Sequence, residues 1–207
     1  MMLINPFFVT PSFAGILNAE FNAFPFVDSA GNFTINNNGG VAMVGGSAQF
    51  DLLTINQTLE FVGNNGTATS AFDFQQDFEL EFRVSNGNVG SAQTVFDIKD
   101  PADISGGHAQ RMRLRCFSDG STAIDYVGSG SAGGINLGTS AGTIVTIKLE
   151  FTASIGRAIM YLDDVLRFDS GALGARASLP RIMTLGGKFD GYDHSGLLFD
   201  YVRLTLG

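Results

Sequence analysis

The sequence predicts an all-β protein built as an antiparallel β-sandwich, and three observations carry that prediction. Apolar and polar residues alternate in several runs, most cleanly in Phe78-Glu79-Leu80-Glu81-Phe82-Arg83-Val84, the two-residue period of a strand with one buried face. Nineteen Phe and many Val, Ile and Thr suit pleated surfaces, while 27 Gly and numerous Asn supply turns. No stretch carries the 3.6-residue period of an amphipathic helix.

Taken in order, residues 1–14 form a short extended N-terminal arm. Pro6 and Pro11 argue against both a helix and a central strand there, and Phe7, Phe8 and Phe13 need a surface to pack on, either the sandwich itself or a neighbouring subunit. Residues 15–207 form one domain. Short segments at 16–27, 32–35, 41–44, 48–53, 58–62 and 68–74 are separated by Gly, Asn and Ser, which is the spacing of sandwich strands. After the 78–84 run, Met112, Leu114 and Cys116 alternate with Arg111, Arg113 and Arg115. Val145, Ile147, Leu149 and Phe151 alternate with Thr146, Lys148 and Glu150. Segments 159–162 and 165–168 flank Asp163-Asp164, a hairpin turn in which Asp tolerates positive φ. Residues 128–134 read as a flexible Gly/Ser loop, and the chain closes on Leu185-Gly186-Gly187 and then 196–204.

Bulk properties narrow the function. A hydrophobic fraction of 44% with 15% charged residues describes a folding chain. A net charge of −8 and a pI near 4.5 repel polyanions, so no nucleic acid partner is expected. Cys116 is the single cysteine; it has no partner for a bridge and reads as a small buried hydrophobe. The first residues lack the basic and apolar regions of a secretory signal, and no apolar run approaches the ~20 residues that span a bilayer, so no membrane insertion is expected.

The order of these pieces resembles a LamG-like domain, of the concanavalin A-like lectin and glucanase jelly-roll superfamily, and in particular its bacteriophage-encoded members. The resemblance rests on Phe21, Phe24, Asp28, Ser29, Gly31 and Asn32 at the opening, the run from Phe72 to Phe82, and the strand pair from Met112 to Gly120. It continues through the hairpin from Tyr161 to Asp164 and the closing strand with Phe199, Asp200, Tyr201, Val202, Arg203 and Leu204. It covers about residues 15–207 and implies a concanavalin A-like jelly roll. Arg83 stands where the family usually carries Trp, and the chain has no Trp at all, which removes the best residue for stacking on a sugar.

Candidate sites follow from residue type. Glu79 and Glu81 share a strand face about 7 Å apart; retaining glycosidases need two carboxyls about 5–5.5 Å apart. Glucanases of the superfamily add a third acid on that strand, and Arg83 occupies its place, so the expected role is a solvated face with Glu paired to Arg or Lys across the sheet. Arg111, Arg113 and Arg115 either grip carboxylates of an acidic polysaccharide, or face Glu79/Glu81 or Lys148/Glu150 across the same sheet, or meet an acidic partner subunit. Asp190, Tyr192, Asp193 and His194, in the Gly-rich loop before the last strand, are the candidate ligand-binding residues. Their spacing matches no ordered Ca²⁺ loop, and no cofactor or metal is expected. By strand parity with Val202 and Leu204, Asp200 is expected to point inward and bond loop amides. His108 has no partner at a recognisable spacing, and no nucleophilic triad, zinc motif or phosphate loop appears.

The expectation is a virion-located, non-catalytic bacteriophage structural protein, decorating capsid or tail. It would assemble as a homo-oligomer, with a trimer expected, and contact other virion proteins. The alternative is a carbohydrate-binding module for host surface glycans.

Overall fold

The computed structural model describes residues 15–50, 57–86, 93–101, 111–116, 122–126, 129–131, 144–176, 178–186 and 197–207. Their strands form two antiparallel sheets. Sheet A runs, in spatial order, β13 (Val165–Asp169), β12 (Arg157–Leu162), β11 (Ile144–Thr152), β6 (Phe78–Asn86), β15 (Leu197–Leu206), β4 (Ser47–Gln49) and β3 (Ala42–Val44), with β1 (Leu17–Glu20) also paired to β15. Sheet B runs β10 (Ser129–Ser131), β9 (Thr122–Tyr126), β8 (Met112–Cys116), β7 (Gln93–Lys99), β14 (Ile182–Leu185), β5 (Thr58–Gly63) and β2 (Phe33–Asn38). The expected all-β antiparallel sandwich is therefore the observed fold; the 1–14 arm lies outside the described residues.

Phenylalanine fills the layer between the sheets. Phe82 of β6 stacks on Phe96 of β7 with centroids 5.1 Å apart, joining the middles of the two sheets. Phe74 packs against Phe151 at 5.2 Å and Tyr126 at 5.9 Å, and Phe33 meets Phe72 at 5.3 Å. Phe50 packs edge-on against Phe199 and also presses on the strand end at Gly186. A Cβ at Gly186 would come within 2.0 Å of that ring, and its φ of +87° suits glycine alone. The Gly186 of the closing motif is thus fixed by packing and backbone together.

Several expected strands are shorter or different. Of segment 16–27 only Leu17–Glu20 is strand, because Asp28 folds the rest back as a loop. The Asp28 carboxylate accepts backbone N–H groups from Asn18 at 2.8 Å, Ala30 at 2.9 Å, Asn32 at 2.8 Å and Phe33 at 3.0 Å. Ser29 Oγ donates to the Asn18 carbonyl and Asn32 Nδ2 to the Ile16 carbonyl, so the polar residues of the opening motif tie the loop before β2 to β1 and to the residue preceding it. Segment 68–74 is not a strand. Thr69 Oγ1 accepts the Ala71 amide and caps a 3-10 turn over Ser70–Phe72, which swings Phe72 and Phe74 into the core. The hairpin at Asp163 (φ 47°) and Asp164 (φ 62°) is present as expected.

Strand β7 was not legible as an alternating run, because a bulge between Thr94 and Phe96 puts two buried apolar residues, Val95 and Phe96, in succession. A second bulge, between Phe199 and Tyr201, corrects the expectation for Asp200. Leu197 and Phe199 are buried before it and Val202 and Leu204 after it, so the extra residue resets the parity and Asp200 lies on the outer face.

Asp28 is 8% exposed, and four amides depend on it. Asp28→Ala should destabilise the protein by about 3 kcal/mol, as expected for hydrogen bonds to a buried charge, and Asp28→Asn by less, since its one amide oxygen keeps part of the set. Urea unfolding measures both; a change in the alanine variant below about 0.5 kcal/mol would show that the loop is held elsewhere.

Candidate functional site

The outer face of sheet A is a solvated, mutually neutralised surface. Lys148 faces Glu81 in register and its Nζ lies 2.8 Å from Glu150 and 3.9 Å from Glu79. Glu81 accepts the Tyr201 hydroxyl at 2.8 Å and pairs with Arg203 at 3.6 Å. Arg83 pairs with Asp200 at 3.4 Å, and Asp200 accepts the Ser47 hydroxyl at 2.6 Å. The carboxylates Glu79 and Glu81 thus face cross-strand cations, as the sequence suggested. Burial pushes the Tyr201 phenol up to about 12, and its hydrogen bond to Glu81 adds to the rise. Arg157 holds the Asp169 carboxyl down at about 2, helped by the Gly171 amide.

The arginine row belongs to the other sheet, which corrects its expected partners. Glu79, Glu81, Lys148 and Glu150 are on sheet A, whereas Arg111 precedes β8 and Arg113 and Arg115 lie on it, in sheet B. Arg111 binds Asp97 of β7 with two donors, Nε to Oδ1 at 2.6 Å and Nη2 to Oδ2. Arg111 and Arg113 are 3% and 4% exposed and Asp97 is fully buried. Arg111 is neutralised by Asp97 inside the chain and Arg113 is buried beside it, so an open three-guanidinium grip on a polysaccharide is not available.

Register extends this pair into a polar row across sheet B. Asn36 faces Glu60, Glu60 faces Thr184, Thr184 faces Asp97, Asp97 faces Arg113, and Arg113 faces Asp125. From Asn36 to Arg113 these residues occupy positions alternating with buried or partly buried apolar residues such as Ile35, Phe61, Met183, Ile98 and Leu114, so this part of the row lies on the outside of the sandwich. Its middle is closed, with Thr184 1% exposed and Lys99, one position along, 5%. Its β2–β5 end is open: Asn36 and Glu60 are half-buried, and Thr34 and Asn38 are exposed. Asn38 Nδ2 reaches both Thr58 Oγ1 and Glu60 Oε2 at 3.4 Å. This shelf offers a carboxylate acceptor, amides that both donate and accept, and a hydroxyl, all on paired strands. The sequence does not announce this shelf; its one local signal is the lone Glu in Thr58-Leu59-Glu60-Phe61-Val62.

Asp190, Tyr192, Asp193, His194 and His108 lie outside the described residues. Among the described residues no three His, Cys, Asp or Glu side chains gather as a metal site, and no helix is long and apolar enough to cross a membrane.

No family model and no curated protein matches the chain. Solved structures do resemble it. Trypanosoma rangeli sialidase, in complex with 2,3-difluoro-KDN, aligns with a TM-score of 0.67 at 10% identity over 91% of this chain and 30% of the sialidase chain. The botulinum neurotoxin serotype D binding domain aligns at 0.64 and 13% identity over 92% of this chain and 47% of that domain. The receptor binding domain of a botulinum neurotoxin C/D mosaic serotype aligns at 0.62, 12% identity and the same coverage. This chain thus spans about a third of the first and under half of the others, and at such identity the likeness shows the lectin-like sandwich fold alone.

The expectation of a chain without catalysis is corrected by this comparison. The first of these neighbours is an enzyme and a sandwich of this shape is part of its chain, so the fold is no ground for setting catalysis aside.

The Tyr201 environment gives a pH signature. A phenol whose folded value stands near 12 instead of its ordinary 10.0 favours the native state fully below pH 10, and that contribution is lost as pH rises through 12. In an alkaline absorbance titration, the difference between wild type and Tyr201→Phe should show one phenol ionising near pH 12. Glu81→Gln should move it down without restoring the ordinary value. A difference curve centred on pH 10 would refute the Tyr201–Glu81 contact.

Proposed function

We propose that this chain is a glycan-binding sandwich domain that takes its ligand on the outer face of sheet B, at the shelf formed by Thr34, Asn36, Asn38 and Glu60. The observation that carries the reading is the polar row itself, locked by the Asp97–Arg111 pair at its buried middle and open at Asn36 and Glu60. Planar amide and carboxylate groups held on rigid strands bind vicinal hydroxyls without paying much side-chain entropy. The neighbours whose names describe a receptor binding domain and a sialidase support a carbohydrate or receptor ligand.

A glycan array followed by titration calorimetry tests this. Glu60→Ala and Asn36→Ala should each weaken the captured glycan by about tenfold or more, the loss of one or two charge-assisted or neutral hydrogen bonds, with unchanged thermal unfolding. Binding that survives both substitutions removes the shelf as the site. Sugar release in the same samples separates an enzyme from a binding module.

A second reading, a structural subunit of a bacteriophage particle that assembles as a homo-oligomer, is favoured by exposed apolar side chains. Phe24 (64% exposed) and Val27 (59%) lie in the loop after β1, and Leu166 (56%) and Val165 (50%) on the edge strand β13, and exposed apolar pairs of this kind are where a partner surface would seat. Light scattering should then give a trimer that falls to a monomer when residues 1–14 are removed; a monomer in both forms removes this reading.

A further inference from the structure

At one end of the sandwich, away from the outer face of sheet B, two loops enclose a cleft of about 400 Å³ lined by Phe74, Gln75, Asp77, Ser154, Ala175 and Arg176. A neighbouring groove of about 300 Å³ shares Asp77 with it and runs on past Glu79 and Thr205. The walls are tied together. Leu173 and Gly174 donate their amides to the Ile155 carbonyl at 3.1 and 2.9 Å. Gly156 approaches Gly174 so closely that a Cβ would lie 2.0 Å from its carbonyl oxygen, and the buried Tyr126 hydroxyl donates to the Gly156 carbonyl at 3.1 Å.

Charge within the cleft is uneven. Arg83, Arg111, Lys148, Arg157, Arg181 and Arg203 each contact a carboxylate. Arg176 contacts none among the described residues, in a chain whose net charge is −8. Its guanidinium lies 5.5 Å from the Tyr126 ring centroid, interacts with the Tyr126 hydroxyl, and gives an Nη2 hydrogen bond, at 3.2 Å, to the Leu173 carbonyl. Its Nε is shielded from solvent and has no hydrogen-bond partner. Gln75 Nε2 donates to the Arg176 carbonyl at 2.8 Å, which fixes the backbone and leaves the Gln75 amide oxygen as an acceptor. Asp77 receives the Ala153 amide on Oδ1 at 2.7 Å and keeps a second oxygen for the cleft.

We propose that this cleft is a binding site for a sugar acid, with the carboxylate on the Arg176 guanidinium and the hydroxyls on Asp77, Gln75 and Ser154. A guanidinium fork without an acid partner is matched by a planar carboxylate through two parallel hydrogen bonds. The acceptors on the other side suit hydroxyl donors, and the exposed Ala175 and Ser154 complete the rim. The volume fits one or two sugar rings. This site does not rest on the shelf of sheet B, and its test keeps the two apart.

The probe is sodium glucuronate, titrated by calorimetry or by ligand-observed NMR against the full chain, with methyl glucoside and N-acetylglycine as controls. Glucuronate should bind and the controls should not. Arg176→Gln should weaken glucuronate by about tenfold or more. Ala175→Trp, which fills the cleft from an exposed position and leaves Arg176 in place, should do the same, while Glu60→Ala leaves the affinity unchanged. Thermal unfolding reports whether each variant is folded. Equal binding of methyl glucoside overturns the role of the carboxylate, and equal binding of N-acetylglycine overturns the sugar. Absence of glucuronate binding, or binding that both cleft variants retain, overturns the site.

Discussion

The shared apolar layer between the sheets is the constraint on which the other features depend. Each strand presents alternate residues to it, so a residue's face is decided by its parity relative to the core. Phe82 against Phe96 sets that parity at the centre of both sheets. From it follow the outward direction of Glu79, Glu81 and Arg83 on one side and of Asp97, Thr184 and Glu60 on the other. The bulges are the places where parity is reset. By adding one residue after Phe199, β15 keeps Val202 and Leu204 in the layer and places Asp200 and Tyr201 outside, where Asp200 meets Arg83 and Ser47 and Tyr201 meets Glu81.

The two outer faces handle charge differently. On sheet A the ion pairs are partly exposed and form a network in water, where each pair contributes little. On sheet B the Asp97–Arg111 pair is almost fully buried, and burying two charges costs several kcal/mol that their contact roughly offsets. Apolar residues at these positions would hold the sandwich as well, so the pair's effect is on geometry. It fixes β7 and the start of β8 against each other, and through Thr184 the polar positions continue to Glu60 and Asn36. The Asp73–Arg181 contact does similar work at the sandwich end. Arg181 lies 4.0 Å over the Phe74 ring, and burial lowers its proton affinity while Asp73 counters that.

Much of the fold was legible because alternation is written in local sequence. The 78–84, 112–116 and 145–151 runs and the Asp163-Asp164 turn all read through within a few residues. What was hidden depends on longer range. The bulge in β7 breaks the pattern that would have announced a strand, and the 3-10 turn at Ser70–Phe72 hides in a run rich in Phe. Which sheet receives β8 depends on partners distant in sequence, so the acid facing the arginines could not be chosen. The shelf was invisible for the same reason. Thr34, Asn36 and Asn38 become one surface with Glu60 only once β2 pairs with β5, and the end cleft needs segments 74–77, 153–154 and 175–176 to converge.

Shape alone leaves the ligand open, because sandwiches of this form sit in chains as unlike as a sialidase and toxin binding domains at 10–13% identity. Function lives in side chains that do something the fold does not require. Asp28 and Gly186 fail that test, since the backbone needs them. Glu79 and Lys148 are accounted for by each other and by Glu150. Glu60 and Arg176 are two such side chains. One is a carboxylate at the open end of an otherwise closed polar row, the other a guanidinium in a cleft with a shielded, unbonded Nε. In the sites proposed above, a ligand's hydroxyl or carboxylate would add to the Asn38 contact of Glu60 and to the Leu173 and Tyr126 contacts of Arg176.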